Sequence, residues 1–238
     1  MSKLPALSPF KLLQSYDKSD VKVYFGREKE TRLLAESLKR SKFILLYGAS
    51  GTGKTSLIQC GLQGMFSTRD WMPVFVRRGS GFLPSLRIRL MEEYATRFRL
   101  RYPNQSLPTL EDWPLRDLVK ALFSLTCIPV YLILDQFEEI FTLGDKTEQD
   151  AFFQELVDFR LFEEDLFCKI LLVVREEYIA HFYAYEEKLP FLFENRFRVE
   201  KMRREQLGEV VQKTLTWHYD SYPPFSTDSG TADQILDN

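Results

Sequence analysis

Gly48-Ala49-Ser50-Gly51-Thr52-Gly53-Lys54-Thr55 satisfies G-x-x-x-x-G-K-[ST] at every fixed position, between the apolar run Phe43 to Tyr47 and the helix-compatible Ser56-Leu57-Ile58. A glycine-rich turn joining a buried strand to a helix leaves few folds open. The glycines allow the backbone to wrap around phosphate oxygens, with N–H groups and the positive end of the helix dipole facing the anion. Lys54 is then placed to reach β- and γ-phosphates, and Thr55 to hold Mg²⁺. The segment predicts binding of a nucleoside triphosphate, with Gly48, Ala49, Ser50, Gly51, Thr52, Gly53, Lys54, Thr55 and Ser56 as its contacts.

Further apolar runs at Lys42 to Tyr47, Pro73 to Val76, Pro129 to Leu134, Lys169 to Val174 and, more weakly, Phe197 to Val199 read as strands. Helical spacing fills the intervals: Leu33, Leu34 and Leu38; Leu57 and Leu62; Phe152, Phe153, Leu156 and Val157. Thr147 followed by Asp150 marks the start of the last of these helices. Alternating strands and helices imply right-handed crossovers and helices on both faces, a three-layer αβα sandwich with a parallel sheet of about five strands. Arg101 to Pro114 carries three prolines and reads as a surface connection. Arg87, Arg89, Arg97, Arg99 and Arg101 suggest a basic patch, but Glu93 lies four residues from both Arg89 and Arg97, so a salt-bridged solvent face is the better reading. Residues 1–217 are expected to form the core, and 218–238, polar and then helix-like, to begin a truncated helical lid or linker.

A phosphate loop needs an opposed carboxylate to hold Mg²⁺ through its water shell, and Asp135 at the end of Tyr131-Leu132-Ile133-Leu134 supplies one. Glu138 and Glu139 follow within a turn; one could orient or deprotonate a water, or the pair could cap the next helix. Arg175 ends the apolar run Ile170 to Val174, on the sheet edge where ligands bind, and could read the γ-phosphate or pair with an acidic neighbour. Lys54, Glu138, Glu139 and Arg175 are the expected catalytic groups; Thr55 and Asp135 are the expected metal ligands. A serine-hydrolase elbow fails at its last position, and His181 and His218 alone cannot build a triad or metal cluster. No Asn-Lys-x-Asp segment is present to read guanine, so adenine is favoured.

The net charge of −2 gives no global argument for nucleic acid, and no run approaches the ~20 apolar residues of a membrane span. Cys60, Cys127 and Cys168 sit far apart in apolar stretches and read as reduced core thiols, hence a cytoplasmic protein.

Phe25-Gly26-Arg27-Glu28, the GASGTGKT loop, Leu134-Asp135-Gln136-Phe137-Glu138-Glu139-Ile140-Phe141-Thr142-Leu143 and Arg175, with Pro9-Phe10-Lys11-Leu12 upstream, resemble the STAND class of signal-transduction ATPases, most closely the bacterial group called novel STAND NTPase 1. The resemblance runs from about Pro9 to about Leu236. It implies that Gly26 and Arg27 lie near adenine and ribose, that Asp135 is the Walker B acid, that Glu138 or Glu139 is the base, and that Arg175 is a sensor of the γ-phosphate. Without it, Phe25 to Glu28 could be a helix entrance alone. It further implies a slow ATPase whose ATP and ADP states govern shape and self-association, with a sensor or effector region beyond residue 238. The alternatives are a DNA-handling or remodelling ATPase of the origin-loader type, and a small-molecule kinase, which the acidic Walker B tail disfavours.

Overall fold

In the computed structural model, which describes residues 10–11, 15–161 and 167–221, the five apolar runs become β1 (Phe43–Gly48), β2 (Met72–Val76), β3 (Val130–Leu134), β4 (Cys168–Arg175) and β5 (Arg196–Arg198). They form one sheet of order β2-β3-β4-β1-β5, parallel at every pairing. Strands β1 to β4 read as largely apolar runs because both faces are covered, whereas edge strand β5 exposes Arg196 and Arg198. Phe43 and Leu45 of β1, Val130, Leu132 and Leu134 of β3, and Ile170, Leu172 and Val174 of β4 pack on one side with Phe82, Leu86, Leu118, Leu122, Phe152 and Leu156. Ile44 and Leu46, Tyr131 and Ile133, and Leu171 and Val173 pack on the other with Leu34, Leu38, Leu57, Ile58 and Leu62. This is the period-2 alternation of a strand, with each face meeting helices rather than water. Each fully buried leucine here contributes about 1.5–3 kcal/mol of transfer free energy.

The main helices are α1 (Glu28–Arg40), α2 (Lys54–Ser56, continued through a wide π turn over Leu57–Leu62 into Gln63–Met65), α3 (Phe82–Arg101), α4 (Leu115–Thr126), α5 (Lys146–Leu161) and α6 (Arg204–Ser221), with single helical turns at Glu139–Thr142 and Phe191–Glu194. Helix α1 carries Glu28 and Glu30 in its first turn and Lys39 and Arg40 in its last, matching the macrodipole. Its C-terminal carbonyls are gathered by Lys169 Nζ, which donates to Leu38, Lys39 and Ser41. Helices α1 and α2 approach closely at Gly61, where an added Cβ would lie 2.6 Å from Thr31 Oγ1.

Three expectations need amendment. Helix α5 begins at Lys146, not from a Thr147 cap: Asp145 Oδ1 accepts from Glu148 N at 2.8 Å and so occupies the capping position ahead of exposed Thr147. Cys127 is exposed, in the left-handed region (φ 56°) that ends α4, whereas Cys60 and Cys168 are buried with thiols pushed up to about 12 by burial. Helix α6 runs on to Ser221, and most of the expected lid or linker at 218–238, like Pro9 and Leu12, lies outside the described residues. The connection after α3, expected at the surface, tucks Leu110 into the core; the basic run of α3 itself is the expected solvent face, with Glu93 paired to Arg97 and, at 3.3 Å, to Arg89.

Candidate nucleotide-binding and hydrolysis site

Parallel pairing brings the C-terminal ends of β1, β3 and β4 to one edge, and Gly48 stands in register with Arg175. Gly48 must lack a side chain, because a Cβ there would sit 2.3 Å from the Val199 carbonyl oxygen on the chain leaving β5. Beyond it the loop turns through Gly51 and Gly53, both left-handed (φ 75° and 84°). Thr52 Oγ1 donates to Ala49 O at 3.0 Å and closes the turn. Lys54 Nζ folds along the loop, donating to Gly48 O at 2.8 Å and Ala49 O at 2.9 Å. Burial lowers the Lys54 ammonium below its ordinary value, against the opposing pull of Glu138.

Across the cleft, Thr55 Oγ1 donates to Asp135 at 3.1 Å and 3.2 Å from its two oxygens. The Asp135 carboxylate is almost wholly buried and also accepts from Arg77 Nη2 at 3.3 Å. Gln136 then takes φ 57°, an uncommon conformation for a residue with a side chain. The turn survives because Phe137, fully buried, donates its N–H to Val173 O at 2.8 Å and packs its ring among Phe82, Phe141, Phe152, Phe153 and Phe182. The turn delivers Glu138 back toward β4, where its carboxylate accepts from Arg175 Nε at 3.0 Å and from the Arg175 N–H at 3.2 Å. Glu138 lines the cleft; half-buried Glu139 is not among the residues that do.

These groups face a cavity of about 800 Å³, of a size usual for ligand sites. Its walls include Ser50 to Ser56, Asp135, Gln136, Glu138 and Arg175, together with Tyr16, Tyr24, Arg27, Met202 and Leu207 and the cations Lys11 and Lys201. The Tyr24 phenol is pushed up by burial. Arg27, only 4% exposed, donates to Thr52 O at 2.9 Å, Glu200 O at 2.7 Å and Glu30 Oε1 at 2.8 Å. Its guanidinium thus braces the phosphate loop against the segment after β5. Gly26 (φ 81°) packs on α6, where a Cβ would meet Val210 Cγ2 at 2.3 Å. The Ser56 hydroxyl accepts from Tyr16 N at 3.0 Å, fastening the N-terminal segment to α2.

The structure therefore gathers Ser50 to Ser56, Arg27, Asp135, Glu138 and Arg175, and sets Gly26, Gly48, Ala49 and Glu139 apart from the cleft lining; Gly48 and Ala49 instead turn their carbonyls to Lys54. Sequence reasoning missed Arg77 and the walls made by Tyr16, Tyr24, Met202 and Leu207. Arg77 had a signal, since it follows an apolar strand just as Arg175 does. The aromatic and apolar walls had none, because they converge from chain segments far apart. For Mg²⁺ the donors fit: a hydroxyl and a carboxylate converge, and among the described residues no group of three or more His, Cys, Asp or Glu could form a closed metal cage. Mg²⁺ favours such a sparse oxygen set, completed by phosphate and water.

A glycine-rich loop after β1, an acidic residue ending β3, and β4 between them in an all-parallel sheet together define a P-loop NTPase. A family model described as Novel STAND NTPase 1 matches residues 9–218, and the chain belongs to that family. No curated protein matches the sequence. Among solved structures, the chain is similar to a Walker-type ATPase of Pyrococcus abyssi (14% identity, TM-score 0.62, covering 97% of this chain and 67% of that one). It is also similar to the Aeropyrum pernix ORC1 protein solved with DNA (17%, TM-score 0.56, 92% and 56%) and to the ORC2 protein of the same organism solved as ADPNP–ADP complexes (17%, 0.52, 80% and 52%). The chain thus spans little more than half of the ORC chains, and at these identities the likeness is one of fold. Among the described residues no helix is long and apolar enough to cross a membrane.

Proposed function

We propose that this chain is the nucleotide switch of a cytoplasmic signal-transduction ATPase: it binds Mg-ATP in the cleft, hydrolyses it slowly, and uses the difference between ATP and ADP to govern shape and self-association. The observation that carries this reading is the Arg175–Glu138 contact. It ties the cation placed to read a γ-phosphate to the carboxylate placed to activate water. A γ-phosphate competes with Glu138 for the Arg175 guanidinium, which frees Glu138 to take the proton of an attacking water as the bond to the ADP oxygen breaks. Turnover is slow because Glu138 starts engaged twice over, by side chain and backbone of Arg175. Lys54, poised on its own loop carbonyls, transfers its hydrogen bonds to the β- and γ-phosphates. Thr55 and Asp135 would hold Mg²⁺, which when bound neutralises phosphate charge.

As a switch, the module acts only through a difference in contacts between the two nucleotide states, and Arg175 is where the γ-phosphate creates one. Single-turnover hydrolysis tests the assignment. Glu138→Gln is expected to retain ATP and slow hydrolysis about 100-fold or more, and Glu139→Gln to change it little. A near-normal rate in Glu138→Gln would remove Glu138 as the base. Solution mass and hydrodynamic radius with ADP and with a non-hydrolysable ATP analogue test the switch; identical values in both would refute it. DNA handling, the second reading, draws on the shared fold with ORC1. Submicromolar binding of duplex DNA in a fluorescence anisotropy titration would promote it over signalling.

A further inference from the structure

Two arginines follow β2, and the structure gives them different surroundings. Arg78 is clamped: its Nη2 and Nε lie 2.6 Å and 3.1 Å from the two oxygens of Glu148, whose Oε1 also accepts from Phe82 N at 3.2 Å. The Arg78 carbonyl accepts from Ser85 Oγ at 2.7 Å. The backbone leaving β2 is therefore fixed at its first turn. Arg77, one residue earlier, is held on the other side by the sheet, since Val76 pairs with Leu134 and Val76 O accepts from Asp135 N at 2.9 Å. Between two fixed backbone points, the Arg77 side chain is 62% exposed, yet its Nη2 reaches an Asp135 carboxylate that is only 6% exposed. An exposed, long side chain thus supplies a cation to the buried oxygen Oδ2, which also accepts from Thr55.

That oxygen is one that a divalent cation held by Thr55 and Asp135 needs. Arg77 and the metal are both cations, and a carboxylate that donates its lone pairs to one has less to offer the other. We infer that Arg77 is a positioning residue that sets the metal threshold of the site: it neutralises Asp135 until a divalent cation displaces it toward solvent. The clamp on Arg78 allows this exchange to move a side chain alone and leave the strand ends in place. The inference rests on the assignment of Thr55 and Asp135 as metal ligands.

Mn²⁺ titration at saturating ADP, followed by electron paramagnetic resonance of the free ion, reads metal affinity without turnover. Compared with wild type, Arg77→Gln is expected to reach half-saturation at about threefold lower Mn²⁺, the size of effect for a largely exposed ion partner. The gap is expected to shrink at high salt, because the competing interaction is screened. Arg77→Lys, which keeps the charge, is expected to stay closer to wild type than Arg77→Gln. Equal or weaker Mn²⁺ binding by Arg77→Gln would overturn the inference. Asp135→Asn distinguishes the two levels of failure. If it binds Mn²⁺ as wild type does, the metal-site assignment falls and the role of Arg77 with it. If it weakens binding while Arg77→Gln matches wild type, only the role of Arg77 falls.

Discussion

Replacing Arg27 by alanine separates a brace from a ligand contact. The guanidinium is 4% exposed and spends its donors on a carboxylate and two backbone carbonyls, Thr52 O and Glu200 O. Alanine leaves both carbonyls without that partner and strands Glu30, whose side chain is 23% exposed. Breaking a buried charged pair by removing one member costs about 3–5 kcal/mol, and charged hydrogen bonds alone account for about 1.5–3 kcal/mol each before relaxation. Against a total stability of about 5–15 kcal/mol this is a large fraction. At roughly 2–4 °C per kcal/mol for a chain of this size, the ligand-free Tm is expected to fall by roughly 6–20 °C. Affinity for ATP is expected to fall too, because Thr52 belongs to the phosphate loop. Differential scanning fluorimetry of the ligand-free variant, followed by ATP titration, measures both. If Arg27 served chiefly to touch the ribose, the ligand-free protein would keep its Tm and only affinity would suffer. A ligand-free shift under about 2 °C would therefore refute the brace.

Lys54→Ala is expected to abolish the ATP-dependent rise in Tm, which for wild type at ~100 times Kd corresponds to ~2.7 kcal/mol and roughly 5–10 °C; equal shifts in both proteins would count against the loop. GTP is expected to displace bound ATP less well than unlabelled ATP does in a competition assay, and equal displacement would remove the preference for adenine. Glu155 lies half-buried beside Leu83, Leu86 and Phe159, and burial, reinforced by Asp158, raises its carboxyl above the ordinary value. A raised folded-state pKa favours the neutral acid in the native protein, so this contribution is present at low pH and lost as pH rises through the folded value. Glu155→Gln is accordingly expected to gain Tm over wild type at about pH 7.5 and to lose that advantage near about pH 4; an advantage independent of pH would contradict the assignment.

Strands β1 to β4 were legible almost to the residue because burial on both faces leaves a nearly continuous apolar run, whereas β5, Arg196-Phe197-Arg198, exposes both arginines and gave only a weak signal. The loop was legible because its backbone needs glycine at fixed places. The start of α5 was not, since Asp145 and Thr147 are both competent caps two residues apart, and only the tertiary setting decides that Asp145 takes the Glu148 N–H. Arg77 and Asp135 are 58 residues apart and meet solely because β2 and β3 are neighbours in the sheet. The sequence offered Glu138 and Glu139 as equals. The left-handed step at Gln136 turns one of them to the cleft, and no local pattern announces a positive φ at glutamine.

The anchoring of that step by Phe137 has a genetic consequence. The ring sits among Phe82 of α3, Phe141 of the short helix Glu139–Thr142, Phe152 and Phe153 of α5 and Phe182 of the segment after β4, and none of them lines the cleft. Truncating one such ring costs about 3–5 kcal/mol and loosens the support of Asp135 and Glu138 together. Inactivating alleles should accordingly arise well away from the nucleotide, and many should be conditional: tolerated in the cold, where stability still exceeds the loss, and null a few degrees higher. A selection for temperature-sensitive mutants would sample this aromatic cluster as readily as the loop itself.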